Sequence, residues 1–310
     1  MSYEMKPLSC DPSRLNGLSE KIIVSHYENN YGGAVKRLNA IAEQWAGLDC
    51  ATEPVFVING LKREELIAYN SMVLHELYFD SLGCGVGPSG KLYEALVRDF
   101  GSYARWHAQF MAMGKAQAGG SGWVLLTYSG RENKLINQWA ADHTNLLADA
   151  LPLLALDMYE HSYHLDYGAK AAAYVEAFMR NIRWENVARL YFRASAIQHF
   201  RDRAITVSAL KNDLAKDVNM LILDVRRKAD YETDDGIMPR AIWRDPSSIM
   251  HWSQDLPKDK EIILYCVHGA TVSNSVLDHL LKEGFKARYI EGGIEGWKAA
   301  GGETVVKSAL

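Results

Sequence analysis

The spacing of apolar residues changes near residue 200, and this change constrains the fold more than any other feature of the chain. Up to about residue 201, segments 18–47, 62–80, 90–113 and 168–200 place apolar residues at three- and four-residue intervals, the period of an amphipathic helix. Strand-like runs at 123–128, 135–139 and 151–156 lie between the third and fourth segments. Helices followed by a short antiparallel sheet predict an α+β domain.

After residue 203 the pattern becomes an alternation of strands and helices. Apolar runs at 220–225, 261–266 and 287–290 alternate with helical stretches at 206–216 and 273–283. Fully apolar strands joined through helices are typical of a parallel sheet that is covered on both faces. The sequence therefore predicts two domains, an α+β domain at residues 1–202 and an α/β domain at residues 203–310.

Composition narrows the class of protein. The 310 residues carry 34 Lys+Arg and 38 Asp+Glu, and this net charge of -4 gives no basic surface for nucleic acid. We find no apolar run of the roughly 20 residues that span a bilayer, and no signal-peptide pattern at the N-terminus. The cysteines at 10, 50, 84 and 266 are too few and too scattered for a disulfide framework. We therefore expect a cytoplasmic protein that binds neither nucleic acid nor membranes.

Four residues of the first domain are candidate metal ligands. Asp157 and His161 end an apolar run, and their four-residue spacing would direct both side chains to one site in helical geometry. His26 and His75 also lie among apolar neighbours. Three imidazoles and one carboxylate suit iron, manganese or zinc. Spacing alone does not join His26 and His75 to the other pair, and a single histidine among apolar residues is more often an ordinary core residue.

The segment around this pair, DMYEHSYHLDY, resembles the D-x-W-E-H-x-Y-Y-x-x-Y signature of the iron/manganese superoxide dismutases. SHYENNYGGAVKRLN, LHELYFDSL, GGSGWVLL and IRWENV agree with that family in order. The resemblance implies a helical hairpin followed by a small α/β part, and conversion of superoxide to oxygen and hydrogen peroxide. It implies one iron or manganese ion per chain, with iron favoured, held by the ligands His26, His75, Asp157 and His161.

The same resemblance implies a homodimer. In the family, the glutamate before the last ligand and the second tyrosine after it help to bridge subunits. The glutamate is matched by Glu160, whereas the tyrosine position holds His164. We therefore expect Glu160, and with it His164, at a subunit contact; an ordinary surface carboxylate is the alternative for Glu160.

Several positions near the expected ligands depart from the family. Asn30 and Ala34 replace the histidine and tyrosine of the substrate channel, and Tyr159 replaces a tryptophan. The position of a glutamine that donates to metal-bound solvent holds Ser71. Some members use a histidine in a D-H-x-x-N stretch instead, and Asp142-His143-Thr144-Asn145 approximates it one residue short. His143 is thus our candidate for that partner, with a solvent-facing loop histidine as the alternative.

Cys266 is the candidate nucleophile of the second domain. It closes the apolar strand EIILY, and a helix begins near Ser273. Backbone N–H groups and the helix dipole at such a position lower the pKa of a thiol and favour an anion. A buried, unreactive cysteine is the alternative.

The surrounding segments, LILDVRRKADYETDDGIMPRA, LYCVHGATVS and YIEGGIEGW, resemble the rhodanese module over residues 204–302. The resemblance implies that Cys266 takes a sulfane sulfur as a persulfide and passes it to a thiol or to cyanide. The loop pattern C-x-x-G-x-[RST] is met by Cys266, Gly269 and Thr271, and His268 matches single-domain members. Arg226 is either a structural ion-pairing residue or a substrate contact. The usual G-H-I-P-G-A stretch appears as GIMPRA, without its histidine and second glycine.

The fusion leaves two further hypotheses open. With Ala34 and Asn30 widening the channel, the metal could oxidise persulfide or another small substrate. Alternatively, one domain could serve only as a binding module. Proteins similar to each half occur in bacterial chromate-resistance clusters, which indicates oxidative or metal stress as a setting.

Overall fold

The computed structural model describes residues 2–83, 85–216, 218–269 and 271–307. Contacts between Cα atoms divide the chain into two compact units, Met1–Ala196 and Ile197–Leu310. Within the described ranges, every helix is either too short or too polar to cross a membrane.

The first unit begins with helices. Its helices are α1 (Glu20–Ser25), a π-helical segment (His26–Tyr31), α2 (Gly32–Gly47), α3 (Val55–Asp80), α4 (Gly90–Phe100), α5 (Tyr103–Ala116), α6 (His164–Tyr167), α7 (Ala171–Arg180) and α8 (Trp184–Arg201), which continues past the division between the units. Ser19 caps α1 by accepting from the Ile22 N–H, the role that serine side chains favour at a helix start. Short 3-10 turns lie at Pro12–Arg14 and Glu160–Ser162.

Three helix predictions differ from the structure. The segment 90–113 is not one helix, because Gly101 takes a left-handed conformation (φ 86°) and ends α4, after which Ser102 caps α5. The segment 168–200 is likewise two helices, since α7 ends at Arg180, with Asn181 as its C-cap. Helix α3 begins at Val55, seven residues before the predicted segment 62–80. Apolar spacing carries across such short breaks, so periodicity alone does not reveal them.

An antiparallel sheet follows α5. Its strands are β1 (Trp123–Ser129), β2 (Lys134–Ala140) and β3 (Ala150–Asp157), in the order β2-β1-β3. Every residue of the central strand β1 is buried. In the register of the β1–β3 pair, Trp123 lies opposite Asp157, so that this end of the sheet holds one candidate ligand and a fully buried indole.

The second unit is built on parallel strands. The strands are β4 (Ala204–Ile205), β5 (Met220–Asp224), β6 (Gly236–Ile237), β7 (Ala241–Trp243), β8 (Glu261–Tyr265), β9 (Ala287–Ile290) and β10 (Val305–Val306). The helices are α9 (Val207–Ala215), α10 (Lys228–Thr233), α11 (Ile249–Trp252), α12 (Thr271–Lys282) and α13 (Gly293–Ala299), with 3-10 turns at Pro246–Ser248 and Ser253–Asp255. Five strands form one parallel sheet in the order β4-β9-β8-β5-β7, and β10 pairs with β6.

Both faces of this sheet are covered. One apolar cluster contains Leu264 and Leu277, and another contains Ile263 and Trp297, so successive residues of β8 enter opposite cores. This alternation is the geometry of a strand with helices on both sides. The predicted fold class, an α+β part followed by an α/β part with a parallel sheet, is confirmed.

Candidate metal centre and cysteine loop

The four candidate ligands converge in the core of the first unit. His26 begins the π-helical segment, His75 lies in α3, Asp157 ends β3, and His161 lies in the following 3-10 turn. One donor atom from each lies within 4.8 Å of the others. The Nε2 atoms of His26, His75 and His161 are 3.1, 3.6 and 3.2 Å from Asp157 Oδ2. Ligands that share one ion at about 2.1 Å are spaced in this way.

The local conformation of Asp157 and His161 differs from the prediction. We expected helical geometry, but Asp157 is the last residue of a strand and His161 follows in a 3-10 turn. The two side chains still meet, because the chain turns sharply after the strand. The Ser162 hydroxyl stabilises this turn by donating to the carbonyl oxygens of Asp157 (2.9 Å) and Tyr159 (2.7 Å).

Neighbouring groups fix the donor atoms. The Tyr159 N–H donates to Asp157 Oδ1 at 2.8 Å, which leaves Oδ2 toward the imidazoles. The Tyr174 hydroxyl donates to the Asp157 carbonyl at 2.8 Å. His75 Nδ1 lies 2.7 Å from the Ser71 carbonyl oxygen, which can only accept, so that Nδ1 carries the proton. The lone pair of Nε2 therefore faces the cluster.

The cluster is electrostatically suited to a cation. Burial lowers the pKa of His75 to about 3 and also lowers the pKa of His26. Burial alone would raise the pKa of Asp157, but the adjacent imidazoles, His161 foremost, hold it below its usual value. Neutral imidazoles and an ionised carboxylate are the forms that bind metals.

Unpaired buried atoms indicate that a group is needed to complete this cluster. Both ring nitrogens of His26 and Nε2 of His75 are buried and have no hydrogen-bond partner. His26 Nε2 is close to the Asp157 carboxylate but does not meet it in hydrogen-bonding geometry. Buried polar atoms without partners are costly, and a shared cation would satisfy two of these three. The donor set and its spacing therefore fit iron or manganese.

His143 lies beside the cluster. Trp123 Nε1, which can only donate, is 3.0 Å from His143 Nδ1, so the neutral ring carries its proton on Nε2. The Asn70 amide donates to the His143 carbonyl at 2.6 Å and fixes the loop. The His143 ring centroid is 6.2 Å from that of His75. His143 is half-buried, and the contacts with Trp123 and Asn70 fix its orientation.

Tyr159 connects His143 with a candidate ligand. Its ring stacks on His143 at 5.0 Å and on His161 at 5.4 Å, with interplanar angles of 10° and 11°. Burial raises the pKa of Tyr159 to about 12, so the phenol stays protonated near neutral pH. Tyr159 therefore places an aromatic ring against the site.

Two aromatic residues next to the ligands were missed in the sequence analysis as site residues. The sequence places Trp123 at the start of a predicted strand and in a matching segment but gives it no role at the site, although its ring is 5.3 Å from His75. Tyr31 is 1% exposed, with its ring 6.5 Å from His75 and its hydroxyl donating to Glu76. The sequence signal for Tyr31 was its position five residues after His26, beside the substituted Asn30.

One side of the cluster is open to solvent in the single chain. The His161 side chain is 26% exposed, whereas that of Asp157 is fully buried. Glu160, His164 and Leu165 are exposed next to it. Ala34 is buried in α2, and Asn30 is half-buried in the π-helical segment.

In the second unit, Cys266 directly follows β8 and is 5% exposed. Its carbonyl accepts from the Ile294 N–H at 2.9 Å, and the Val267 carbonyl accepts from the Glu295 N–H at 3.2 Å, so the start of α13 holds the loop. Gly269 has φ 63°. Its Cβ position would lie 2.3 Å from the Ile290 carbonyl oxygen, which requires glycine there.

The other residues of the loop motif differ in exposure. His268 is exposed, and so is Thr271, the first residue of α12, which begins two residues earlier than expected. Ala270 lies outside the described residues, as does Cys84. Cys10, Cys50 and Cys266 make no disulfide.

Arg226 is held by the protein. Its side chain is 1% exposed and pairs with both carboxylate oxygens of Asp224, at 2.6–3.0 Å. It also donates to Asp234 at 2.7 Å and to the Gly236 carbonyl at 3.0 Å. These contacts favour the structural alternative for Arg226.

Comparison with known proteins identifies the family. An iron superoxide dismutase from Cupriavidus metallidurans is 68% identical over 194 residues, which cover 63% of this chain and 98% of that protein. The chain belongs to the iron/manganese superoxide dismutase family. The model of the family's C-terminal domain matches residues 88–190, and that of the rhodanese-like domain matches residues 206–300. The chain is thus a superoxide dismutase family member fused to a rhodanese-like domain.

More distant superoxide dismutases are similar over the same proportion of the chain. A manganese superoxide dismutase from Halobacterium salinarum is 32% identical over 197 residues, covering 62% of this chain and 96% of that protein. An iron superoxide dismutase from Aquifex aeolicus is 33% identical, covering 59% and 88%. Relatives named for either metal therefore match this chain, and the one at 68% identity is named for iron.

Proposed function

We propose that the chain is an iron-dependent superoxide dismutase with His26, His75, Asp157 and His161 as the metal ligands. The observation that supports this most directly is the convergence of these four donors, with unpaired buried nitrogens on His26 and His75. Iron held there would alternate between the +3 and +2 states, oxidising one superoxide to oxygen and reducing the next to peroxide.

The protein's own groups would prepare the site for this chemistry. Asp157 supplies one negative charge, and its Tyr159 N–H contact fixes which oxygen faces the imidazoles. Ser71 holds the ring of His75 through Nδ1. The edge of His161, whose side chain is 26% exposed, lies where a small anion could reach the cluster from solvent. The contacts of Tyr159 with Asp157 and of Ser71 with His75 would set the orientation and basicity of these ligands.

His143 would position a proton in this site. Because Trp123 donates to Nδ1, the Nε2–H of His143 is available to donate to solvent or to a bound anion. Reduction of superoxide to peroxide consumes protons, so a donor of fixed orientation next to the ligands is useful. Ser71, at the alternative glutamine position, instead contacts His75.

The test is dismutation per bound metal, measured after iron and manganese have each been exchanged into the protein and quantified. We expect a high rate with iron. His161→Ala should lose both metal and dismutation, while His251→Ala, which changes an exposed histidine of the second unit, should lose neither. Full iron occupancy with a negligible rate would favour the alternative in which the site acts on persulfide, and oxygen uptake with persulfide would then test it.

We propose that two chains associate through the exposed surface around Glu160. Glu160 and His164 flank the exposed edge of His161, and the apolar side chain of Leu165 is 57% exposed there. Sedimentation analysis should give a dimer for the natural chain and a weaker dimer for Glu160→Ala. A monomer at micromolar concentrations would contradict this proposal.

We propose sulfurtransfer by Cys266 as a second activity. The support is its position at the end of β8, in a loop that α13 fixes by two backbone hydrogen bonds. Loading with a sulfane-sulfur donor should add one sulfur atom to the natural chain and none to Cys266→Ser, and cyanide or a thiol should remove it. A Cys266→Ser variant that transfers sulfur at the natural rate would contradict the assignment.

The domain boundary at 202/203 and the cytoplasmic location are also proposals. The matches to residues 88–190 and 206–300 support a boundary between them. Cysteines that make no disulfide within the described ranges support a reducing compartment.

A further inference from the structure

A cavity of about 200 Å³ opens beside the Cys266 loop. Val267, the residue after the cysteine, lines it, and so does Ile294, whose N–H holds the Cys266 carbonyl. Its charged lining consists of two cations and three carboxylates: Arg226, Lys298, Asp230, Asp234 and Glu295. The cavity on this side of the loop is therefore negative overall.

Both cations of this cavity are already paired. Arg226 is enclosed by the carboxylates of Asp224 and Asp234. Lys298 Nζ lies 2.8 Å from Asp234 and 3.9 Å from Glu295. Arg226 cannot bind an incoming anion without giving up a carboxylate partner, and its fully buried pair with Asp224 is costly to break. The pair of Lys298 with Asp234 is partly exposed.

The other two carboxylates of the cavity, those of Asp230 and Glu295, face solvent. Asp230 makes no ion pair with any residue that the structure describes, and among those residues Glu295, which is 56% exposed, pairs only with Lys298. Like charges brought together at a binding site oppose association. A dianionic donor such as thiosulfate would meet this repulsion on that side of the loop.

We infer that the Cys266 site takes its sulfur from a persulfide that is uncharged or cationic near the reacting sulfur, and that it discriminates against thiosulfate. This inference rests on the proposed sulfurtransferase activity. In the transfer, the Cys266 thiolate attacks the outer sulfur of R–S–SH, and a new S–S bond forms at Sγ. The donor's S–S bond breaks, its electron pair leaves with R–S⁻, and the proton stays on the transferred sulfur, so that nothing is oxidised or reduced overall.

The experiment compares the rate of sulfur loading on Cys266 from two donors, cysteamine persulfide and thiosulfate, by mass spectrometry of the full-length protein. Cysteamine persulfide, which carries an ammonium group, should load faster at low salt. Added salt should slow it and accelerate thiosulfate, because salt screens attraction and repulsion alike. In the natural chain, added salt should therefore change the loading rate in opposite directions for the two donors.

Two variants test the cavity directly. Glu295→Gln and Asp230→Asn each remove one negative charge, and each should raise loading from thiosulfate roughly three- to tenfold at low ionic strength. Asp259→Asn is the matched control, since this exposed carboxylate precedes β8 while Cys266 follows it. A five-residue strand separates the two by about 17 Å, so a charge at Asp259 acts on Cys266 more weakly than a charge that lines the cavity beside the loop.

The outcomes separate this inference from the activity on which it rests. If neither donor loads Cys266, the sulfurtransferase proposal fails. If thiosulfate loads faster than cysteamine persulfide, and salt or the Glu295→Gln change does not accelerate it, the site transfers sulfur but the charge inference is wrong. If Asp259→Asn has the same effect as Glu295→Gln, net charge rather than the cavity controls the donor.

Discussion

His143 and Trp123 show how one hydrogen bond between side chains can set the chemistry of a site. The indole has a donor and no acceptor, so contact with His143 Nδ1 assigns the tautomer of the imidazole. Burial lowers the pKa of His143, which keeps the ring neutral at physiological pH. The assigned proton on Nε2 is therefore the one that the site can use.

Substitutions at His143 test this contact. His143→Ala removes the proton donor and leaves a buried indole N–H unpaired, so we expect a loss of about 10–100-fold in dismutation per bound iron and of about 1–3 kcal/mol in stability. His143→Gln should recover most of both, because an amide oxygen can accept from Trp123 while its NH₂ donates. Pulse radiolysis on metal-quantified protein measures the rate. Equal losses in His143→Ala and His143→Gln would show that His143 serves packing alone.

Single residues also show what the sequence could and could not predict. The pair Asp157 and His161 was predicted from four-residue spacing, although the helical geometry assumed for it was wrong. His26 and His75 could be added only by family resemblance, because they lie on separate helices whose packing no local pattern encodes. The contact between Trp123 and His143 joins a strand and a loop, and it requires the tertiary fold in the same way.

Strands and helices differed in how well their bounds could be predicted. The run predicted at 287–290 matches β9, and β1, β2, β3, β5 and β8 fall within about one residue of their predicted ends, because apolar strands are bounded by clear turn residues. Helix ends were harder. The breaks after α4 and α7 interrupt the backbone but leave the apolar spacing in place, so the spacing predicted one helix where there are two.

The loop between β8 and α12 depends on glycine at position 269. Gly269→Ala places a Cβ 2.3 Å from the Ile290 carbonyl oxygen and 2.7 Å from the Gly293 nitrogen, in a left-handed conformation. Backbone strain of about 1–2 kcal/mol and overpacking of about 1–3 kcal/mol should destabilise the second unit and abolish loading of Cys266.

Gly284→Ala is the matched control. Gly284 has φ 82°, but nothing lies within 4 Å of its Cβ position. It should therefore show only the backbone strain and retain sulfur loading. Urea denaturation and mass spectrometry of the loaded protein report the two effects. Equal destabilisation by the two alanines would mean that close approach of α13 does not hold the loop.

In the whole molecule, the two candidate sites depend on different cores. The residues around the metal ligands belong to one large apolar cluster within Met1–Ala196, and those around Cys266 belong to two clusters within Ile197–Leu310. A ligand that binds only the folded form of one unit stabilises that unit. Metal occupancy should therefore be visible in the unfolding of the first unit.

We expect calorimetry of the iron-loaded chain to show two transitions, of which chelation lowers only the one that belongs to the first unit. At a thousandfold excess of metal over Kd the stabilisation is about 4 kcal/mol, which corresponds to roughly 8–16 °C for a unit of this size. His75→Ala should melt at the chelated temperature whether or not iron is supplied. A shift of both transitions together would show that the units unfold as one body, and no shift at all would mean that the four ligands do not hold the metal.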